Sequence, residues 1–463
     1  MQHGSRALRR WLIDDPEAGQ RFLDATQGRV RFADMRDGTV LGGGRDRLRG
    51  RSVLLSLSTQ GLTAQALIEL DGTARRIVIA PPDLKARDHA AVMGGADVDA
   101  VLTDGDPSTF RPGSGALVLT PAPLARADAD RGAEDLDTEW VLLTSGTTGT
   151  PKMVVHSRSA LTGAIVPNAA PSPPVWGTFY DIRRYGGLQI LLRAVLCGGS
   201  LVLSQAGETV GDHLARLAAA GVTHLSGTPS HWRRVAMSSE GALISPRYVR
   251  LSGEIADQAI LDMLARTYPD ARVGHAYAST EAGVGFEVDD GLEGFPAHYL
   301  DPDRPVRMKI EAGSLRIRSD RAASRYLGGA AVLRDEDGFV DTDDMVEQRG
   351  DRLYFVGRRS GIINVGGLKV HPEEVEAVIN RHAAVRMSLV KARANPITGA
   401  IVVAEVVPEQ ALAEGDAARQ AELKAEILQM CRDTLPSHKV PVLLRFATSL
   451  TVTAAGKLDR AHA

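Results

Sequence analysis

Leu142 to Ser157 reads LLTSGTTGTPKMVVHS, and its centre is Thr144-Ser145-Gly146-Thr147-Thr148-Gly149-Thr150-Pro151-Lys152. An apolar run passes directly into hydroxylated residues interleaved with glycines. This is the pattern of a strand entering a tight loop whose backbone N–H groups and hydroxyls can surround an anion. Phosphate is the guest such a loop suits. The spacing is not that of a Walker loop, because Lys152 follows proline and precedes Met153 rather than Ser or Thr.

Outward from this loop the chain alternates two periods. On the N-terminal side VLLSLS (from Val53), RRIVIA and DAVLTD read as buried strands, with LTAQALIEL and DLKARDHAAVM between them as helices. On the C-terminal side Leu188 to Leu196, Asp212 to Ala220 and Asp257 to Tyr268 read as helices. Ser200 to Ser204, Thr223 to Ser226, Tyr248 to Ser252 and Arg272 to Tyr277 read as strands. Apolar runs alternating with helical patterns predict an α/β fold of parallel strands with crossover helices, and ligands at the carboxyl ends of the strands. From about Pro296 the pattern changes to short alternating segments, RMKIEAGSLRIRS and AAVLRDEDGFVDTDD, that predict hairpins or a small barrel-like subdomain. A boundary is expected near Arg358 to Gly361. Beyond it, Ile362 to Val365, Met387 to Val390 and Ile401 to Val406 read as strands. Pro372 to Arg381 reads as a helix, and Glu422 to Leu435 as a helix with a core-facing stripe of Leu423, Ile427, Met430 and Thr434. The expected division is 1–359 and a mobile α+β domain at 360–463. The first 50 residues yield little beyond one helix over Glu17 to Thr26.

The bulk numbers narrow the class. At 463 residues the chain is expected to hold about two to four folded units. A net charge of -3 gives no reason to expect a nucleic-acid partner, and Arg6, Arg9 and Arg10 fit a solvated helix face. Cys197 and Cys431 lie far apart without metal-ligand spacing, so the default compartment is the reducing cytoplasm. No apolar run approaches the ~18 residues of a membrane span.

The phosphate loop closely resembles the signature loop of the adenylate-forming superfamily of acyl-CoA synthetases, adenylation domains and luciferases. Four further stretches resemble the family's motifs in the family's order. His275-Ala276-Tyr277-Ala278-Ser279-Thr280-Glu281 is similar to its Tyr-Gly-x-Thr-Glu, with Ala278 in place of glycine. The resemblance implies that Tyr277 flanks adenine, Thr280 contacts phosphate and Glu281 holds magnesium, a hard oxygen ligand for a hard cation. Upstream, Gly253-Glu254 falls where relatives keep a glycine-rich strand end beside the adenine. Asp341-Thr342-Asp343-Asp344 resembles Thr-Gly-Asp, which gives Asp344 the ribose hydroxyls and puts Asp343 at the glycine's place. That extra carboxylate either disturbs the geometry or points to solvent. Tyr354 to Arg358 with Gly366-Gly367 resembles the Gly-Arg hinge and the pantetheine-tunnel loop, with Arg358 on ribose or phosphate and Ser360 at the hinge. Thr453 to Arg460 resembles the C-terminal lysine motif. It implies that Lys457 reaches the carboxylate and α-phosphate, where negative charge develops. Lys152 and the loop residues Thr144 to Gly149 complete the implied ATP site. The first 140 residues match only as a shortened first subdomain.

The substrate signal lies at Phe179 to Leu188, where Arg184 stands at the place of a family histidine and Tyr185 follows it. Either Arg183 or Arg184 pairs with Asp181 at the surface, or one of them lines the acyl pocket and recognises a second anionic or polar group. The latter favours a small polar acid over a fatty chain. The implied function is ATP-dependent activation of an acid to an acyl-adenylate, then transfer to CoA, the acceptor suggested by a chain that ends soon after Lys457 without a carrier domain. The alternatives are a stand-alone enzyme that loads a carrier protein or activates an unusual oxyacid, and a degenerate nucleotide-binding module without turnover.

Overall fold

The computed structural model describes residues 6–25, 27–41, 44–110, 115–127, 135–144, 151–166, 172–329, 332–396, 398–410, 417–453 and 457–459. Two large sheets form its body. The seven-stranded sheet runs Arg325–Leu327, Lys152–His156, Glu139–Thr144, Arg76–Ile79, Ser52–Ser56, Ala100–Thr103, Leu117–Leu119. Its strands are parallel from Glu139–Thr144 to Leu117–Leu119, and the strand after the phosphate loop turns back antiparallel, with Lys152 opposite Thr144. The loop residues between them, Ser145, Gly146, Thr147, Thr148, Gly149 and Thr150, lie outside the described residues.

The eight-stranded sheet runs Gly283–Val288, Arg272–Ser279, Tyr248–Ser252, His224–Gly227, Val175–Thr178, Ser200–Val202, Phe22–Ala25, Gly28–Arg31. It is parallel except for a hairpin at each edge. The hairpin at one edge corrects the helix expected over Glu17 to Thr26. Residues 16–20 form turns, and Phe22–Ala25 is a strand with Leu23 opposite Leu201. Arg21, buried beside it, donates to the carbonyls of Ala194 and Gly199. Pairing with a distant strand has overridden local propensity. The first 50 residues are also far from peripheral, since Leu8, Leu12, Phe32 and Leu48 are fully buried in the main core. A buried ion pair ties them in: Asp71 accepts Leu8 N at 2.8 Å while Arg158 Nε lies 2.9 and 3.0 Å from its two oxygens.

The region after Pro296 forms a five-stranded antiparallel sheet, Phe295–Pro296, Arg352–Arg358, Val340–Arg349, Ser314–Arg318, Arg307–Glu311. It is an open sheet among the described residues, not a closed barrel. Residues 363–444 have their own apolar cluster, built from the three-stranded sheet Val385–Asn395, Gly399–Pro408, Leu443–Phe446 and the helices Pro372–Ile379 and Ala417–Thr434. On the second helix the buried stripe is Leu423, Ile427 and Cys431, continued by Leu435, while Thr434 is exposed. The true repeat is i, i+4, i+8, i+12, which the Met430–Thr434 choice missed by one residue. Among the described residues no helix is long and apolar enough to cross a membrane.

Candidate active site

A cavity of about 1220 Å³ opens where the carboxyl ends of the parallel strands meet the C-terminal segment. Thr144, Tyr180, Ser230, Ser252 and Ser279 each end or follow a strand and line it, as expected of an α/β sheet. Thr144 leaves a buried hydroxyl without a partner among the described residues, a donor available to an anion. Lys152 opens the returning strand, its Nζ 5.6 Å from the centre of the Tyr326 ring. Burial, and then the nearby charge of Glu281, push the Tyr326 phenol above its ordinary pKa. Lys152, Tyr326 and Glu281 all line the cleft.

Thr280 and Glu281 occupy the turn between Arg272–Ser279 and Gly283–Val288. Ser279 Oγ accepts Ala282 N at 3.0 Å. Gly283, at φ +73°, passes so close to the carbonyl of Arg321 that a Cβ would stand 2.1 Å from it, so the turn requires glycine. Ala278, at the family's glycine position, sits where the pairing register shifts between Tyr277 and Ala278. A bulge there accommodates the methyl group without closing the cleft.

Asp344 is held from two sides. Tyr277 donates its phenol to Oδ2 at 2.6 Å, and Arg358 Nε reaches Oδ1 at 3.0 Å. Two lone-pair sites remain for further donors. The Tyr277 ring is stacked on Phe286 and Phe355, with centroids 5.6 and 5.1 Å away, so its hydroxyl orients Asp344 while its ring is already part of an aromatic cluster. Burial, with Asp344 beside it, pushes the phenol well above its ordinary pKa and keeps it a donor. Asp343 has φ +62°, the left-handed conformation that suits the glycine it replaces. It lines the same cleft, and its Oδ2 accepts Ser360 N at 3.3 Å, while Arg359 lies 3.4 Å from Asp341 beside it.

Lys457 lines the same cleft, its Cε 3.5 Å from where a Gly253 Cβ would be. Gly253 has φ +88°, so glycine serves both the turn and the close approach. Although the residue is exposed by area, its ammonium is crowded between the two parts of the molecule. Burial and the positive charge of Arg358 hold it below the ordinary lysine pKa. Glu254 follows Gly253 and lines the same cleft, its oxygens accepting from Ser230 and from Leu458 N.

At the acyl side the two arginines separate. Arg183 makes the pair with Asp181, at 2.6 Å, and donates to Leu57 O at 2.8 Å, a buried structural role. Arg184 instead lines the cleft, donates to Asp83 Oδ1 at 2.5 Å, and keeps a buried Nε with no partner among the described residues. It is also close enough to help depress the Lys457 pKa. Tyr185 lines the cleft but is 6% exposed and belongs mainly to the core. Gly366 and Gly367 form a hairpin turn with φ +60° and +88° and are not among the residues that line the cleft. Sequence reasoning also missed Tyr326, which lies outside every motif. It missed Asp257 too, which accepts from Arg233 at 2.6 Å and from Asn380 at 3.3 Å across the two parts of the molecule.

The strand-end cleft, its carboxylates and the cation brought to it from the last strand bridge define a nucleotide-dependent enzyme site. The chain belongs to the AMP-binding enzyme family, whose model matches residues 65–326, with the AMP-binding enzyme C-terminal domain at 374–457. It is similar to a probable nonribosomal peptide synthetase, CymA, of Salinispora arenicola, 27% identical over 355 residues, 69% of this chain and 4% of that one. It also resembles a 2-succinylbenzoate–CoA ligase of Listeria monocytogenes, 26% identical over 357 residues, 73% of this chain and 71% of the ligase. The chain thus spans a small part of the first and most of the second. The anthranilate CoA ligase AuaEII in complex with anthranoyl-AMP has the same fold, with a TM-score of 0.79 at 15% identity over 98% of this chain and 96% of that one.

Proposed function

We propose that this chain activates an organic acid with ATP, forming an acyl-adenylate and pyrophosphate, and then transfers the acyl group to the thiol of CoA. The observation that carries the proposal is the meeting of Lys457 with Glu281, Asp344 and Arg358 in one cleft, although Lys457 lies far along the chain from the other three. In the first step a carboxylate oxygen of the acid attacks the α-phosphorus, and the bond to the pyrophosphate oxygen breaks. Lys457 and Arg358 sit where that charge develops, and Asp344 fixes the ribose. Catalysis here is positioning and electrostatics.

Magnesium fits the residues present. Among the described residues no cluster of three or more His, Cys, Asp or Glu could hold a metal. Glu281 alone, lining the cleft, is the kind of single carboxylate that magnesium uses when substrate phosphates supply most of its ligands. When bound, the ion neutralises phosphate charge.

For the thiol step the proposal divides the chain at 359/360. The domain at 360–463 would rotate about Ser360, withdrawing Lys457 and bringing Gly366 and Gly367 to the cleft. The thiol sulfur attacks the acyl carbon and AMP leaves. Arg184, beside the cleft with an unpartnered Nε, supports a small acid carrying a second anionic or polar group. Transfer to a carrier protein is the second reading, favoured by the likeness to a peptide synthetase. Against the degenerate reading, which Ala278, Asp343 and Ser360 motivate, stand the register shift at Ala278 and the bond of Ser360 N to Asp343, which give each departure a place in the fold.

The test is AMP and pyrophosphate release across a panel of dicarboxylic, aromatic and fatty acids, with CoA or carrier proteins as acceptor. Acid-dependent AMP formation with small polar acids is expected. Preference for long-chain fatty acids removes the Arg184 assignment, and ATP binding without turnover on any acid removes the enzyme.

A further inference from the structure

The Lys457 segment is held at the cleft by a contact that no motif announces. Val452 and Leu458 form an antiparallel bridge, closed by Thr453 N on Lys457 O at 2.7 Å and Asp459 N on Thr451 O at 2.9 Å. In this pairing the two bonds flank the bridged residues, so the N–H of Leu458 points away from its partner strand. It meets Glu254 Oε1 at 2.9 Å. Glu254 is itself rigidly held. Ser230, in the first turn of the helix Pro229–Ala236, donates its backbone N to Oε2 at 2.9 Å and its hydroxyl to Oε1 at 3.0 Å. The helix N-terminus favours the carboxylate charge there. The chain of contacts therefore runs from a fixed helix end, through one carboxylate, to the backbone of the residue that follows Lys457.

We infer that Glu254 is a positioning residue for adenylation: it docks the C-terminal bridge through Leu458 N and so sets the ammonium of Lys457 beside Gly253. This rests on the adenylation reading above. It differs from a nucleotide contact, because both Glu254 oxygens are engaged before any ligand arrives. It also gives the small domain an attachment point specific to the first half-reaction, released when Lys457 withdraws.

The experiment has a readout independent of activity. Endoproteinase Lys-C cuts after lysine, and cleavage at Lys457–Leu458 removes residues 458–463, a loss read directly by intact mass. In the full-length protein Glu254→Ala is expected to raise that cleavage rate about tenfold, the effect of losing one charge-assisted hydrogen bond. Pyrophosphate release should fall by about the same factor, with KM for ATP within about twofold. Placed on Lys457→Ala, Glu254→Ala should add no further loss, which a general structural role would not predict. Leu458→Pro removes the donor from the other side and should reproduce the activity loss if Glu254→Ala does not fold. Unchanged cleavage overturns the docking contact. Faster cleavage with unchanged adenylation, an equal loss in the Lys457→Ala background, or a loss confined to KM for ATP overturns the positioning role. A wild-type protein inert toward every acid removes the adenylation reading and the positioning role with it, while the cleavage comparison still decides the contact.

Discussion

Tyr277→Phe separates the two roles that the cleft allows this side chain. The substitution keeps the ring, and with it the stacking on Phe286 and Phe355 at 5.6 and 5.1 Å, so no cavity opens. What it removes is one hydroxyl donating to Asp344 at 2.6 Å. A hydrogen bond to a charged acceptor contributes about 1.5–3 kcal/mol, and water entering the open cleft replaces part of it. The lower end, about 1.4 kcal/mol, is a tenfold effect. Asp344 keeps Arg358 at 3.0 Å but gains freedom to rotate away from the place proposed for the ribose. Steady-state pyrophosphate release against ATP concentration should therefore show KM for ATP rising about tenfold. The urea midpoint should move little, since the aromatic packing is intact. An unchanged KM would refute the orienting role and return Tyr277 to a purely aromatic contact. A collapse of stability would show that the hydroxyl serves the fold rather than the site.

Lys457 must be charged to do its work, and its pKa lies below the ordinary lysine value because of burial and then Arg358. Pyrophosphate release should accordingly be lost as pH rises through that lowered pKa, earlier than for a solvated lysine, and Lys457→Arg should move the alkaline limb upward even at reduced rate; an unmoved limb assigns it to another group. Arg158→Met leaves Asp71, fully buried, with its acceptor bonds but no cation, and should cost about 3–5 kcal/mol in urea unfolding. A loss below 1 kcal/mol, estimated on the scale of exposed pairs, would mean that Asp71 takes a proton without penalty.

The strand and helix alternation was legible because burial writes a period into the sequence. Tyr248–Ser252 coincides with its expected bounds, and its neighbours differ by a residue or two. The cleft was legible through the side chains expected to work in it: Glu281, Asp344, Arg358 and Lys457 all line it. What escaped were features decided by partners far away in sequence. Phe22–Ala25 is a strand because Ser200–Val202 is there to pair with it, and nothing local says so. Arg183 and Arg184 are chemically the same, and only the fold gives one to Asp181 and the other to the cleft. Leu458 contributes a backbone N–H, which carries no side-chain signature, so its bond to Glu254 could not be read from the sequence. Asp343 read as a carboxylate that either disturbs the geometry or points to solvent, and neither its left-handed backbone nor its bond to Ser360 N could be read from the sequence.

The strand Phe22–Ala25 also has a consequence for how the protein is made. Its parallel partner is about 180 residues further along, with Leu23 opposite Leu201. At a synthesis rate of roughly 5–20 residues per second, the partner emerges about 10–35 s later. During that interval the first hairpin has one edge without its mate and leaves Leu23, destined to be fully buried, in water. Meanwhile the sheet containing Ser52–Ser56, Arg76–Ile79 and Ala100–Thr103 has all three of those strands available and can assemble first. The order of synthesis and the order of assembly therefore diverge at the very start of the chain, which makes residues 22–31 the segment most dependent on being shielded while the ribosome is still at work.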